Sequence, residues 1–208
     1  MLEEKAVSIP VEDFTLEGLA SGDDTTTGLV MCHPHPLFSG TMQNKVVTTV
    51  IRTAADLGWG TLRFNFRGTG KSGGVHDHGV GEQEDVAAAV AYAREVLGWK
   101  RVILAGFSFG AGLACLCASA NPELLNGLVL IAPAVHHFDA PTTLPVQFES
   151  WVFMGDADEV VPFDEVDSWV QLVVPQPHWV VFEDTGHFFH GRLTDLKATL
   201  LEELATLR

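Results

Sequence analysis

Positive charge is what this sequence has least of: 12 Lys and Arg stand against 27 Asp and Glu, a formal net charge of -15 at pH 7. Phosphate backbones and anionic membrane surfaces are held chiefly by Lys and Arg, so neither nucleic acid nor a membrane is expected as a partner. Cysteine is scarce as well. The three that occur, Cys32, Cys115 and Cys117, are odd in number and lie in apolar segments. That excludes a disulfide framework and suits small core residues in a reducing compartment. Cys115 and Cys117 stand two apart on an expected helix, point to different faces, and so make no metal or redox pair. Nowhere do about 18 uncharged apolar residues run together. The start, MLEEKAVSIP, has acids where an export signal has a basic region. A soluble, unexported, cytoplasmic chain is therefore expected. Repeats and low-complexity runs are missing too, which excludes a solenoid and a disordered chain.

What remains is a chain of 208 residues, 47% hydrophobic and 19% charged, enough to bury one sizeable core; a single domain over 1–208 is expected. Two short strands fit within residues 5–20. GLVMCHPH then reads as a buried strand cut off by prolines, and residues 44–57 as a helix with Gly58 as its stop. WGTLRFNF is the next strand. Residues 82–97 form a helix whose first-turn acids Glu82, Glu84 and Asp85 suit the helix dipole, with Val86, Val90, Ala93 and Leu97 on one face. RVILAGF (strand), FGAGLACLCASA (helix), GLVLIAPA (strand) and SWVFMG (strand) follow. Then come a helix over residues 163–173, the strand HWVVFED and an amphipathic helix from about Gly191 to the end. Apolar strands separated by helices describe an α/β fold, a doubly wound, mostly parallel sheet with helices on both faces. In such sheets ligands sit beyond the carboxyl ends of the strands.

The stretch TLRFNFRGTGKSGG invites a phosphate-binding reading, since Gly68, Gly70 and Gly73 fit G-x-G-x-x-G and Gly70-Lys71-Ser72 resembles the end of a P-loop. The P-loop's first glycine is replaced by Asn65. A helix must also open at once behind the glycines to aim its N–H groups at phosphate, whereas GGVHDHGVGE follows here. No acid for a ribose ends the next strand either. The segment is read as a flexible return from strand to helix, whose glycines let it pass close to a site built by its neighbours.

The chemistry points instead to Gly106-Phe107-Ser108-Phe109-Gly110, which lies between a strand and a helix, the context of a nucleophile elbow. A serine on a strained strand-to-helix turn needs neighbours without bulk two residues away on either side. The turn leaves the Phe109 N–H at the start of a helix, aimed at an oxyanion formed beside Ser108. Serine is a poor nucleophile alone, so a histidine must take its proton and an acid must hold that histidine. In the order Ser, Asp, His, the acid follows a late strand, where Asp156 and Asp158 stand, and the histidine follows the last strand, where His187 and His190 stand.

GFSFGAG, GDADEVVP and DTGHFF, in this order, resemble the α/β-hydrolase superfamily. CHPHPLFSGTMQNKVV with NFRGTGKSGG resembles its small esterase-like, dienelactone-hydrolase-related members. The resemblance implies Asp158 as the acid, with Asp156 the alternative, and His187 as the base, leaving His190 as a first-turn helix residue. The family's His-Gly-x loop is replaced here by His33-Pro34-His35-Pro36-Leu37. Its prolines remove two N–H groups. By resemblance His35 is the second oxyanion donor, with Leu37 as the alternative. Only VHHFDAPTTLPVQFE separates two late strands, which leaves no room for a cap domain. The expected site is open and shallow, lined by Leu37, Phe38, Phe107, Phe188 and His136, with Phe107 and Phe189 equally readable as core. The loop histidines His33, His35, His76, His78, His136 and His137, with Asp77, lack a metal-site pattern, and no metal or cofactor is expected. The expected activity is a serine hydrolase acting on a small-molecule ester or thioester with a short or medium acyl chain. A lactone hydrolase, a peptidase or a non-catalytic small-molecule-binding protein of the same fold are the alternatives.

Overall fold

A computed structural model describes residues 2–22 and 25–207. Its eight strands are β1 (Lys5–Val11), β2 (Phe14–Ser21), β3 (Thr27–Cys32), β4 (Gly60–Phe64), β5 (Arg101–Phe107), β6 (Gly127–Ile131), β7 (Glu149–Gly155) and β8 (His178–Phe182). They form one sheet in the order β1-β2-β4-β3-β5-β6-β7-β8. β1 and β2 form an antiparallel hairpin, β2 runs antiparallel to β4, and every pairing from β4 to β8 is parallel. The helices are α1 (Lys45–Asp56), α2 (Gly81–Glu95), α3 (Phe109–Ala120), α4 (Phe163–Leu172) and α5 (Leu193–Leu204).

The sheet is covered on both faces because its central strands are apolar on both. Along β5, Val102 and Leu104 join the core shared with Val86 and Val90 of α2, Leu113 of α3 and Val166 of α4. Ile103, Ala105 and Phe107 point the other way, to Val46 and Val50 of α1 and Leu196 and Leu200 of α5. Each such side chain, fully buried, contributes about 1.5–3 kcal/mol relative to exposure. α1 follows from its spacing: Val46, Val47, Val50, Ile51 and Ala54 are buried, and the Asn44 side chain accepts the Val46 N–H at 2.8 Å. The three cysteines are free and buried, and burial pushes their thiols up, Cys115 to about 12 and Cys117 to about 11.

Several elements stop earlier than their composition suggests. β3 ends at Cys32, before His33 to His35, because the His33 ring leaves the strand to bond loop backbone. β6 ends at Ile131, where Ala132 takes φ 43° and Pro133 follows. β8 ends at Phe182, ahead of Asp184 with φ 49°. α5 starts at Leu193, so His190 stands in the turn before the helix and not in its first turn. The helix ends at Leu204, and Arg208 lies outside the described residues. In α2, Glu82 and Asp85 are fully buried, anchoring the preceding loop, and only Glu84 is exposed as a dipole-facing acid would be. Between β6 and β7, residues 132–148 contain a single turn at Val135–His137, so no helical cap crosses the sheet there. Among the described residues no helix is long and apolar enough to cross a membrane.

Candidate active site

β3, β5, β7 and β8 run parallel, so the loops that follow them meet at one rim of the sheet. After β5 the chain turns abruptly: Ser108 takes φ 57° and ψ -117°, and α3 begins at Phe109. A non-glycine residue in this region is strained, and surrounding contacts must hold it. They do. The Ser108 N–H donates to Ile131 O of β6 at 2.9 Å, and its carbonyl accepts from Ala111 and Ala134 at 3.0 and 3.2 Å. The flanking glycines are required by close approach. A Cβ on Gly106 would lie 2.3 Å from Gly110 O, and one on Gly110 would lie 2.4 Å from His33 O and 2.6 Å from Cys32 O.

The turn brings the Ser108 hydroxyl 3.0 Å from His187 Nε2. His187, in the loop after β8, is only 2% exposed, and its Nδ1 lies 2.8 Å from Asp158 Oδ2. A carboxylate only accepts, so Nδ1 carries the proton and donates, which leaves Nε2 to accept the Ser108 O–H. Asp158, in the loop after β7, is fixed by the N–H groups of Val160 and Val161, which donate to Oδ1 at 2.9 and 2.7 Å. Asp156 is exposed and makes no contact with the imidazole; its N–H donates to Phe182 O. The His187 backbone is pinned by a residue that sequence reasoning missed, Glu159, whose Oε2 accepts the His187 N–H at 3.0 Å. The Phe107 ring packs 4.9 Å from the His187 ring, at 31°.

The loop after β3 is ordered by its own polar groups. His33 Nε2 accepts the Phe66 N–H at 3.0 Å, so its Nδ1 is the protonated nitrogen and donates to Pro34 O at 2.6 Å. Burial lowers the pKa of this imidazole to about 4. The His35 carbonyl accepts the N–H groups of Phe38 and Gly40, both at 3.1 Å. The Leu37 N–H is already taken by His35 Nδ1 at 3.2 Å. The His35 N–H has no acceptor among the described residues. Of the two sequence candidates for a second donor, only His35 is thus available. The Phe109 N–H is an orphan donor of the first turn of α3.

A cavity of about 260 Å³ opens over Ser108. His35, Phe38, Phe109, His136, His187 and Phe188 line it together with Ser39, Asn44, His137, Val160 and Val161, which the sequence did not single out. Two expected lining residues do not. Leu37 is 64% exposed on the outside of its turn, and Phe107 is fully buried on the α1/α5 face of the sheet beneath His187. Burial lowers the pKa values of His35 and His136, and neighbouring imidazoles, His76 and His137 for His35 and His137 for His136, lower them further. His190 is exposed, stacked on Phe188. Among the described residues no group of three His, Cys, Asp or Glu side chains is placed to hold a metal ion.

Comparison with known proteins agrees with this architecture. A model of the alpha/beta hydrolase fold matches residues 29–156. An α/β serine hydrolase homologue from Coxiella burnetii shares 37% identity, with 99% of both chains covered and a TM-score of 0.90. An α/β serine hydrolase without a lid from Xanthomonas campestris shares 33% identity over 98% of this chain and 94% of its own, with a TM-score of 0.91. An uncharacterized protein of Rickettsia prowazekii (strain Madrid E) is 32% identical over 197 residues, 91% of this chain and 82% of the relative. With its family model, its serine-hydrolase neighbours and its uncapped sheet, this chain belongs to the alpha/beta hydrolase fold family, among the small members without a lid.

Proposed function

We propose that this hydrolase-family chain is a serine esterase acting on small uncharged acyl esters through Ser108, His187 and Asp158. The observation that carries the reading is the unbroken hydrogen-bond chain from the Ser108 hydroxyl through both nitrogens of His187 to Asp158, at 3.0 and 2.8 Å. In the first half-reaction His187 Nε2 takes the hydroxyl proton as Ser108 Oγ attacks the ester carbonyl carbon. The resulting imidazolium is stabilised by the Asp158 carboxylate, which stays ionised. The N–H groups of Phe109 and His35 receive the oxyanion; losing one such donor typically costs about 2.7–4 kcal/mol of barrier. His187 then protonates the leaving alcohol, and the acyl group remains on Ser108. In the second half-reaction His187 activates water, which releases the carboxylic acid and restores the serine.

The substrate class is supported by the cavity lining. It contains no Lys, Arg, Asp or Glu, and Phe38, Phe109, Phe188, Val160 and Val161 supply apolar surface for a short or medium acyl chain. A reducing, cytoplasmic setting is proposed with it, supported by three free buried thiols.

The test is hydrolysis of 4-nitrophenyl esters of graded acyl length, alongside the matching thioesters, with labelling by a fluorophosphonate. Wild type turns over the shorter esters and is labelled at Ser108, and Ser108→Ala abolishes both. Hydrolysis that survives Ser108→Ala, or a wild type neither active nor labelled, would overturn the assignment.

A further inference from the structure

The glycine-rich return after β4 ends in a segment, residues 75–80, that lies against the oxyanion loop. Its anchor is Glu82, in the first turn of α2 and fully buried. A buried carboxylate is costly unless its oxygens are satisfied. Both are, and by the loop: Oε1 accepts the Asp77 N–H and Oε2 the Gly79 N–H, each at 2.8 Å. Asp77 Oδ2 in turn accepts the Gly81 N–H at 3.0 Å, and the Gln83 amide donates to Gly79 O at 2.9 Å. The segment is therefore tied to the helix at several points and cannot be a freely moving connection.

What these ties present to the site is His76. Its side chain is 8% exposed, with Nδ1 2.7 Å from Glu82 Oε1, at ion-pair distance but out of hydrogen-bonding alignment. Its Nε2 has no hydrogen-bond partner among the described residues. Buried polar atoms are ordinarily paired, so an unpaired one calls for a reason. The ring contacts supply it. The His76 ring lies 5.1 Å from the His35 ring and 6.0 Å from the Phe109 ring, and the latter two lie 4.5 Å from each other. His35 and Phe109 are the two residues whose main-chain N–H groups receive the oxyanion in the reading above. Their side chains pack together, and His76 is the third ring of that cluster.

We propose that His76 and Glu82 are positioning residues for the oxyanion hole: Glu82 clamps residues 76–79, and His76 holds the rings of His35 and Phe109 so that their N–H groups converge beside Ser108. The proposal rests on the esterase reading. Neither residue lines the cavity, so their removal acts on the transition state and not on substrate binding.

The experiment measures kcat and KM for 4-nitrophenyl butyrate, and Ki for butaneboronic acid, which forms a tetrahedral adduct on the serine. It compares wild type, His76→Ala, His76→Phe and Glu82→Gln. In His76→Ala, kcat falls by about ten- to a hundredfold, the range expected when a positioning contact is lost. KM stays within about twofold, and Ki rises by the factor that kcat/KM loses. His76→Phe restores the packed ring and recovers most of kcat. Glu82→Gln, which sets an amide against the Asp77 or Gly79 N–H, moves kcat and Ki in the same direction and is read in place of His76→Ala should that variant not fold. A kcat in His76→Ala close to wild type, a loss carried by KM alone, an unchanged Ki, or no rescue by phenylalanine would overturn the proposal. A wild type that neither hydrolyses esters nor is labelled at Ser108 counts against the esterase reading itself, whereas an active wild type with an unaffected His76→Ala counts against the positioning role alone.

Discussion

Replacing Gly110 by alanine tests whether the elbow and the oxyanion loop are held in register by direct backbone contact. A Cβ at this position would lie 2.4 Å from His33 O, 2.6 Å from Cys32 O and 2.7 Å from Cys32 C. All three are backbone atoms, so no rotamer change relieves the clash. Real Cβ contacts essentially never fall under 3.0 Å, so the first turn of α3 and the end of β3 must separate by roughly 0.6 Å. Overpacking of this kind costs about 1–3 kcal/mol, which for a chain of this size lowers Tm by about 2–12 °C. The movement also carries His33 to His35 away from Ser108, so the His35 N–H leaves the oxyanion. Complete loss of a donor costs about 10²–10³ in kcat, and a partial displacement is expected to cost about ten- to a hundredfold. The control is Gly58→Ala, at the end of α1, where φ is 77° and no atom stands within 4 Å of the new Cβ. Left-handed strain costs that variant about 1–2 kcal/mol of stability, with no route to the site. Calorimetry gives both Tm values and ester hydrolysis both kcat values. A Gly110→Ala enzyme with the kcat of Gly58→Ala, or one impaired only in KM, would refute the backbone-contact account.

Asp158→Asn removes the acceptor that fixes the His187 tautomer and is expected to lower kcat by about 10³–10⁴-fold, whereas Asp156→Asn, at an exposed position without contact to the imidazole, leaves kcat within about twofold. Equal losses in the two would show that the acid is misassigned. His33 gives a pH signature. Its folded pKa is lowered from 6.5 to about 4 by burial, so the unfolded chain takes up the proton first on acidification. The stability this neutral imidazole contributes is complete above about pH 6.5 and is lost as pH falls toward 4, about 3 kcal/mol in all. Urea midpoints followed across that window are expected to fall more steeply in wild type than in His33→Gln; parallel slopes would exclude His33 as the source.

Much of the fold is written locally. α1 was legible because its buried residues recur at helical spacing between an asparagine cap and a glycine stop, both of which act through neighbouring atoms. The apolar strands were legible because burial on both faces removes alternation in hydrophobicity. Their ends were not, for a physical reason: β6 stops where Ala132 takes φ 43°, a conformation that nothing in an alanine announces and that the Ala132 N–H bond to Phe153 O holds from another strand. The strand order is equally silent in the sequence. β4 lies outside β3 because the crossover through α1 returns on that side, and β2 closes the sheet against β4 from the hairpin that precedes both.

The site divides along the same line. Ser108 announced itself because its requirements are met by residues two positions away, and the segments carrying Asp158 and His187 could be found from chain order after the late strands. What chain order conceals is direction. Phe107 is the immediate neighbour of Ser108, yet strand alternation sends it to the opposite face with Ile103 and Ala105, so it supports the His187 ring from beneath and never reaches the cavity. Glu82 reads from sequence like any first-turn acid, the same as Glu84 two residues later. Two residues along a helix turn the side chain by about 200°, which puts Glu84 in solvent and Glu82 under the loop that carries His76. Adjacency in the chain therefore says little about adjacency at the rim, where the groups that meet Ser108 arrive from strands and loops scattered over the whole sequence.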